Sequence, residues 1–208
     1  MQIRQHVGNE KPAVILHPSG TVVTFDELEA RANRLAHHFR ANGLVEGDVV
    51  AILMENNEHM HAAMWGARRS GLYYVPINIH LTPAEAAYII ENSGASAVIG
   101  SAALSQTCAG LAEHLTAGLP KLLMIADGEL PGWDRYPECV AAQPDTPIDD
   151  EIEGDLLQYS SGTTGRPKGI KRELTHLPPA EVPGLMKMLM SFWLPKDAVY
   201  LSPAPLYH

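Results

Sequence analysis

The chain has 208 residues, ample for one domain or one large lobe with a buried core. Its 46% hydrophobic and 19% charged residues are those of a globular protein, and a formal net charge of −9 disfavours nucleic acid as a partner, because phosphate backbones require basic patches. No apolar run approaches the roughly 18 residues of a membrane-spanning helix, and the N-terminus has no signal-like apolar region, so a cytoplasmic protein is expected. Cys108 and Cys139 form no CxxC unit and read as free thiols.

In chain order, Ala13 to Leu16 and Val22 to Thr24 flank a His-Pro-Ser-Gly turn and predict a small hairpin. Thr24-Phe25-Asp26-Glu27 is a capping-box pattern, and Leu28, Ala32, Leu35, Ala36 and Phe39 predict an amphipathic helix that stops at Asn42-Gly43. Val49 to Met54 is an apolar, partly β-branched run expected as a strand covered on both faces. Asn57 is placed to cap a helix reaching about Gly71. Tyr73 to Ile77 then reads as a strand, with a second capping box at Thr82-Pro83-Ala84-Glu85 opening a helix to Ser93. Ala97 to Ile99, Ser101 to Ala117 and Lys121 to Ala126 continue the alternation as strand, helix and strand.

Such alternation predicts an α/β fold, a parallel sheet with helices on both faces and right-handed crossovers. Asp127 to Asp150 is rich in proline, glycine and acidic residues and reads as a surface connection; the acidic run continuing to Asp155 reads as a solvated face. The expected division is a first subdomain over 1–150 and the start of a second over 151–208. In the second, Leu156 to Ser160 reads as a strand, Ile170 to Leu174 as a return strand, Val182 to Trp193 as a helix and Ala198 to Ser202 as a strand.

Between the strand and its return lies Tyr159-Ser160-Ser161-Gly162-Thr163-Thr164-Gly165-Arg166-Pro167-Lys168-Gly169. A polyphosphate is a dense array of acceptor oxygens, held by backbone N–H groups, hydroxyls and a cation. Hydroxyls come here from Ser160, Ser161, Thr163 and Thr164. Gly162, Gly165 and Gly169 let the backbone approach a ligand closely, and Lys168 supplies a point charge behind the stiff Pro167. A plain turn of about two to five residues would not need this length. The Walker A spacing is absent, and no hydroxyl follows Lys168, which disfavours a P-loop nucleotidase.

The segment resembles the signature phosphate-binding loop of the adenylate-forming (AMP-binding) superfamily, which includes acyl- and aryl-CoA synthetases, peptide-synthetase adenylation domains and luciferases. Thr24 to Leu28, Gly71 to Asn78 and Pro205-Leu206-Tyr207-His208 resemble other family segments, so the likeness spans nearly the whole chain. The resemblance implies ATP-dependent formation of an acyl-adenylate, then of an acyl-CoA, with a carboxylic acid, ATP and CoA as substrates and Mg²⁺ as metal. A fatty acid is the favoured acid, an aryl acid or amino acid the alternative.

Ser160, Ser161, Gly162, Thr163, Thr164, Gly165, Lys168 and Gly169 would hold phosphate, and Tyr207 and His208 would line the acyl pocket. The family's adenine segment, metal-binding glutamate and mobile C-terminal domain have no counterpart among these residues. The expectation is therefore an N-terminal portion truncated before the C-terminal domain and inactive alone, with a homodimer left open. The rival class is a non-catalytic fragment that binds a phosphate or a partner. The ten histidines lack metal-ligand spacing and read as surface residues, and Met186, Met188 and Met190 as core packing rather than an acyl tunnel.

Overall fold

The computed structural model describes residues 3–8, 10–160, 166–181 and 198–207. The opening hairpin pairs β1 (Pro12–Ile15) antiparallel to β2 (Val22–Thr24). Thr24 then caps α1 (Phe25–Ala41) through a complete capping box: its hydroxyl accepts the Glu27 N–H, and the Glu27 carboxylate accepts the Thr24 N–H at 2.8 Å. After β3 (Val49–Leu53), the Asn57 Oδ1 accepts the His59 and Met60 N–H groups, ordering the entry to α2 (Met60–Arg69). β4 (Tyr73–Pro76) leads to α3 (Pro83–Ser93), which has a second complete capping box at Thr82, proline in its first turn and Gly94 in the left-handed region at its end.

β5 (Ala95–Ser101), α4 (Ser105–Gly110) and β6 (Leu122–Ala126) follow. The helix expected over Ser101 to Ala117 is thus broken into two 3₁₀ turns flanking six α-helical residues. The Glu91 carboxylate captures the Thr116 and Ala117 N–H groups, holding the end of this stretch in a non-helical path. The expected connection over Asp127 to Asp150 contains two further elements, β7 (Asp134–Arg135) and α5 (Tyr136–Ala141). Both are too short for periodicity to register, yet β7 extends the parallel sheet, and α5 buries Tyr136 and Val140.

The sheet is fully parallel in the order β4-β3-β5-β6-β7. The chain steps one way from β3 to β4 and the other way thereafter, so crossovers of a single hand place α2 on one face and α3 and α4 on the other. Phe39 of α1, Met60 of α2 and Val140 of α5 pack with Val50 and Ile52 on one face. Ala86 and Ile90 of α3 and Cys108 of α4 pack with Val49, Ala51 and Leu53 on the other. Helices therefore cover both faces, as the alternation predicted. The two cysteines are free.

The acidic run is only partly a solvated face, with Asp149 and Asp150 exposed and Glu153 buried. Glu151 pairs with Arg4 at 2.7 Å, Glu153 with Arg68, and Asp150 with Arg40 at 2.9 Å, while the buried Arg69 pairs with Glu29 at 2.8 Å. Arg68 and Arg69 at the end of α2 thus draw residues 150–153 back against the helices. Leu156 then bridges Tyr74 at the outer edge of β4, and Leu157 donates to the Tyr74 carbonyl at 2.9 Å. Gly154 is required there, because a Cβ would lie 2.0 Å from the Leu72 carbonyl oxygen.

Three further expectations change. The return strand is β9 (Lys168–Ile170), paired antiparallel with β8 (Gln158–Ser160), rather than Ile170 to Leu174. Ala198 to Ser202 forms no strand, and Val199, Tyr200 and Leu201 are exposed, with no neighbouring strand among the described residues to pair with them. The histidines are not uniformly at the surface: His38, His59 and His61 each bury Nδ1, and burial holds all three below the ordinary imidazole range. The helix expected over Val182 to Trp193, with its three methionines, lies outside the described residues.

Candidate functional site: a braced hairpin at the sheet edge

The strands that flank the glycine-rich segment, β8 and β9, pair antiparallel as a hairpin stem. Ser160 lies opposite Lys168, and Tyr159 opposite Gly169, so the two ends of the motif are joined by register. Ser161, Gly162, Thr163, Thr164 and Gly165 lie outside the described residues, as does His208. Lys168 is exposed, and its ammonium meets no carboxylate among the described residues. Its cationic neighbours are occupied: Arg166 lies 5.4 Å from the Tyr88 ring centroid, Lys171 lies 4.4 Å from that of Tyr73, and Arg172 pairs with Asp155 at 3.7 Å. An exposed cation at the foot of a serine-, threonine- and glycine-rich turn is suited to receive an anion.

The hairpin buries little of its own. Instead it is attached by side chains of the first sheet and its helices. Tyr159 donates its hydroxyl to the Asn92 Oδ1 at 2.7 Å, and burial pushes that phenol up to about 12, with Tyr88 adding to the effect, so the group remains a donor at neutral pH. Tyr88 donates to the Pro167 carbonyl at 3.2 Å, and Tyr73 to that of Arg172. Gly169 packs against the Tyr159 ring, where a Cβ would come within 3.0 Å of it. Beyond β9, Leu174 is buried in the sheet core, and His176 meets Glu46 at 2.6 Å, returning the chain to the β4 edge.

Tyr207 is held on a different element. The Leu206 N–H donates to the Asn56 Oδ1 at 2.9 Å, which seats the Pro205–Tyr207 stretch at the loop following β3. That loop opens at the carboxyl end of the sheet, where strand order reverses between β4 and β5 on either side of β3; crevices at such reversals are common ligand sites in parallel sheets. Beside it, Ser101 donates to the Glu55 carboxylate. Sequence reasoning singled out Ser160, Lys168, Gly169 and Tyr207 as candidates but not Tyr88, Asn92 or Asn56. The i,i+4 spacing of Tyr88 and Asn92 was readable, but nothing local indicated what their shared side would face.

Among the described residues, no three His, Cys, Asp or Glu side chains gather as a metal site. No helix of the described residues is long and apolar enough to cross a membrane.

The sequence model of the AMP-binding enzyme family matches residues 2–208. The chain belongs to this family. Among curated relatives, feruloyl-CoA synthase of an Amycolatopsis species is 35% identical over 198 residues, covering 94% of this chain and 36% of that protein. Fatty acid–[acyl-carrier-protein] ligase ScoC of Streptomyces coeruleorubidus is 32% identical over 164 residues, covering 76% of this chain and 29% of that protein. Among solved structures, the inhibitor-bound N-terminal domain of FACL13 from Mycobacterium tuberculosis aligns with a TM-score of 0.65 at 28% identity, over 81% of this chain and 42% of that one. An anthranilate CoA ligase, AuaEII, aligns with a TM-score of 0.69 over 81% of this chain and 33% of that one; at 24% identity it supports the adenylate-forming fold alone. The chain spans about a third of the length of these curated relatives.

Proposed function

We propose that these residues form the phosphate-handling N-terminal part of a carboxylate–CoA ligase, which joins an acid to AMP and then to CoA. The observation that carries this reading is the exposed Lys168, which meets no carboxylate among the described residues, at the foot of a Ser/Thr/Gly-rich hairpin, in a chain matched along its length by the AMP-binding family. Attack of the acid carboxylate on the α-phosphorus of ATP breaks the bond to the bridging oxygen and releases pyrophosphate. Ser160, Ser161, Gly162, Thr163, Thr164, Gly165, Lys168 and Gly169 orient the β- and γ-phosphates and balance the charge gathering on the leaving group. CoA thiol then displaces AMP. Tyr207 and His208 flank the acid.

The division at residue 150 belongs to the same proposal and is supported by the β8–β9 pair forming a sheet separate from the five-stranded one. A cytoplasmic setting suits an enzyme drawing on ATP and CoA. The acid is a fatty acid in the first reading, supported by the likeness around Ser160 to Lys171 and by the ScoC relative. An aryl acid is the second, favoured by the feruloyl-CoA synthase relative, which covers more of this chain.

Titration calorimetry of the 208-residue chain with ATP and with pyrophosphate tests the site, and ATP–pyrophosphate exchange by the complete open reading frame, with decanoate against ferulate, tests the acid. Binding by the chain, with acid-dependent exchange only in the complete polypeptide, is expected. Turnover by the 208 residues alone would refute the assignment of essential groups to other segments, and absence of binding would leave an inert or partner-binding fragment.

A further inference from the structure

α3 is fixed at both ends, by the Thr82 capping box with Pro83 in the first turn and by Gly94 in the left-handed region. Its Ala86, Ala87, Ile89 and Ile90 are buried in the sheet core. Tyr88 and Asn92 stand one turn apart on the same side of this helix. Their polar ends reach opposite legs of the hairpin: the Asn92 Oδ1 accepts from the Tyr159 hydroxyl on the β8 leg, and the Tyr88 hydroxyl donates to the Pro167 carbonyl on the β9 leg. The Tyr88 ring also lies against the Arg166 guanidinium, and the Tyr159 ring supports Gly169. One helix thus holds both legs of the hairpin stem.

We infer that Tyr88 and Asn92 are positioning residues, setting the place of the β8–β9 stem and of Lys168 relative to the parallel sheet. The inference rests on the phosphate reading proposed above. Neither side chain needs to touch the nucleotide. A turn that binds pyrophosphate through backbone N–H groups and one flexible lysine gains affinity when its stem is held still before the ligand arrives. The two contacts are neutral hydrogen bonds, so losing both loosens the stem without removing any group that meets phosphate.

The test uses the 208-residue chain with Tyr88→Phe, Asn92→Ala, their double variant, and Asn92→Asp, which retains an acceptor for Tyr159. The readouts are pyrophosphate affinity by calorimetry, amide hydrogen exchange of residues 168–170, and the thermal midpoint. The double variant is expected to exchange several-fold faster at 168–170 and to bind pyrophosphate about three- to tenfold more weakly, with a midpoint close to wild type. Asn92→Asp is expected to restore the behaviour of the parent Asn92 side. Unchanged exchange at 168–170 in the double variant overturns the brace. Faster exchange with undiminished pyrophosphate affinity overturns the positioning role. A wild-type chain that binds no pyrophosphate overturns the phosphate assignment and the positioning role with it, while the exchange data still decide separately whether α3 holds the stem.

Discussion

β3 and β9 are both short strands that border loops of the candidate site, but they are held in opposite ways. All five residues of β3 are buried, pressed between α1 and α2 on one side and α3 on the other, with parallel partners on both edges. All three residues of β9 are exposed and have one antiparallel partner; Gly169 lies against the Tyr159 ring, while Tyr88 and Tyr73 hold the flanking Pro167 and Lys171. Burial of apolar area scales with the number of neighbours and makes the sheet stiff. A few polar hooks fix a direction without contributing a large share of the stability. Stability and ligand affinity should therefore be separable by mutation in this chain.

The largest effect is expected in the core. Phe39 of α1 is fully buried, and Phe39→Ala should cost about 3–5 kcal/mol, read as a lower urea midpoint, while the molecules that remain folded bind pyrophosphate as the wild type does. Lys168→Ala should do the reverse. Loss of roughly 2–3 kcal/mol from a charge-assisted contact lowers ATP–pyrophosphate exchange by the complete polypeptide several tens-fold and leaves the urea midpoint in place, because the side chain is exposed. A drop in both quantities for either variant would break the comparison.

The gentlest effect is a pH slope. His38, His59 and His61 are held below 6.5 chiefly by burial, so the unfolded chain binds protons that the folded chain does not. Their contribution is intact above about pH 6.5 and is lost gradually as pH falls below it, since protons then favour the unfolded state. Urea midpoints at pH 7.5 and 5.5 check this, and a flat profile would count against neutral, buried imidazoles. The hairpin contact through Tyr159, protonated up to about pH 12, should be indifferent over the same range.

Elements with strong local chemistry were legible. Both capping boxes form at Thr24 and Thr82, and the Val49 run is a doubly covered strand. The glycine-rich segment and its lysine were legible as a family signature, because residue type, order and spacing there leave few alternatives. The misreadings fall where distant groups overrule local pattern. The acidic run at Asp149 to Asp155 looks like a solvated tail until Arg4, Arg68 and Arg69 are brought beside it from residues up to 147 positions away in sequence. The helix after Ser101 is shortened partly by the Glu91 carboxylate 25 residues upstream.

By itself, then, the sequence determined the alternation of strands and helices and the family marked by the glycine-rich segment, because periodicity, caps and a glycine-rich motif are short-range properties of the chain. Only the tertiary structure decided what the segment leans on. Tyr88 and Asn92 acquire a purpose when α3 packs on the sheet and turns one side toward the hairpin, and Asn56 when the chain returns at Leu206. Hydrogen bonds across 67 to 150 residues have no local signature. They exist only once burial of the apolar faces has brought their partners within reach.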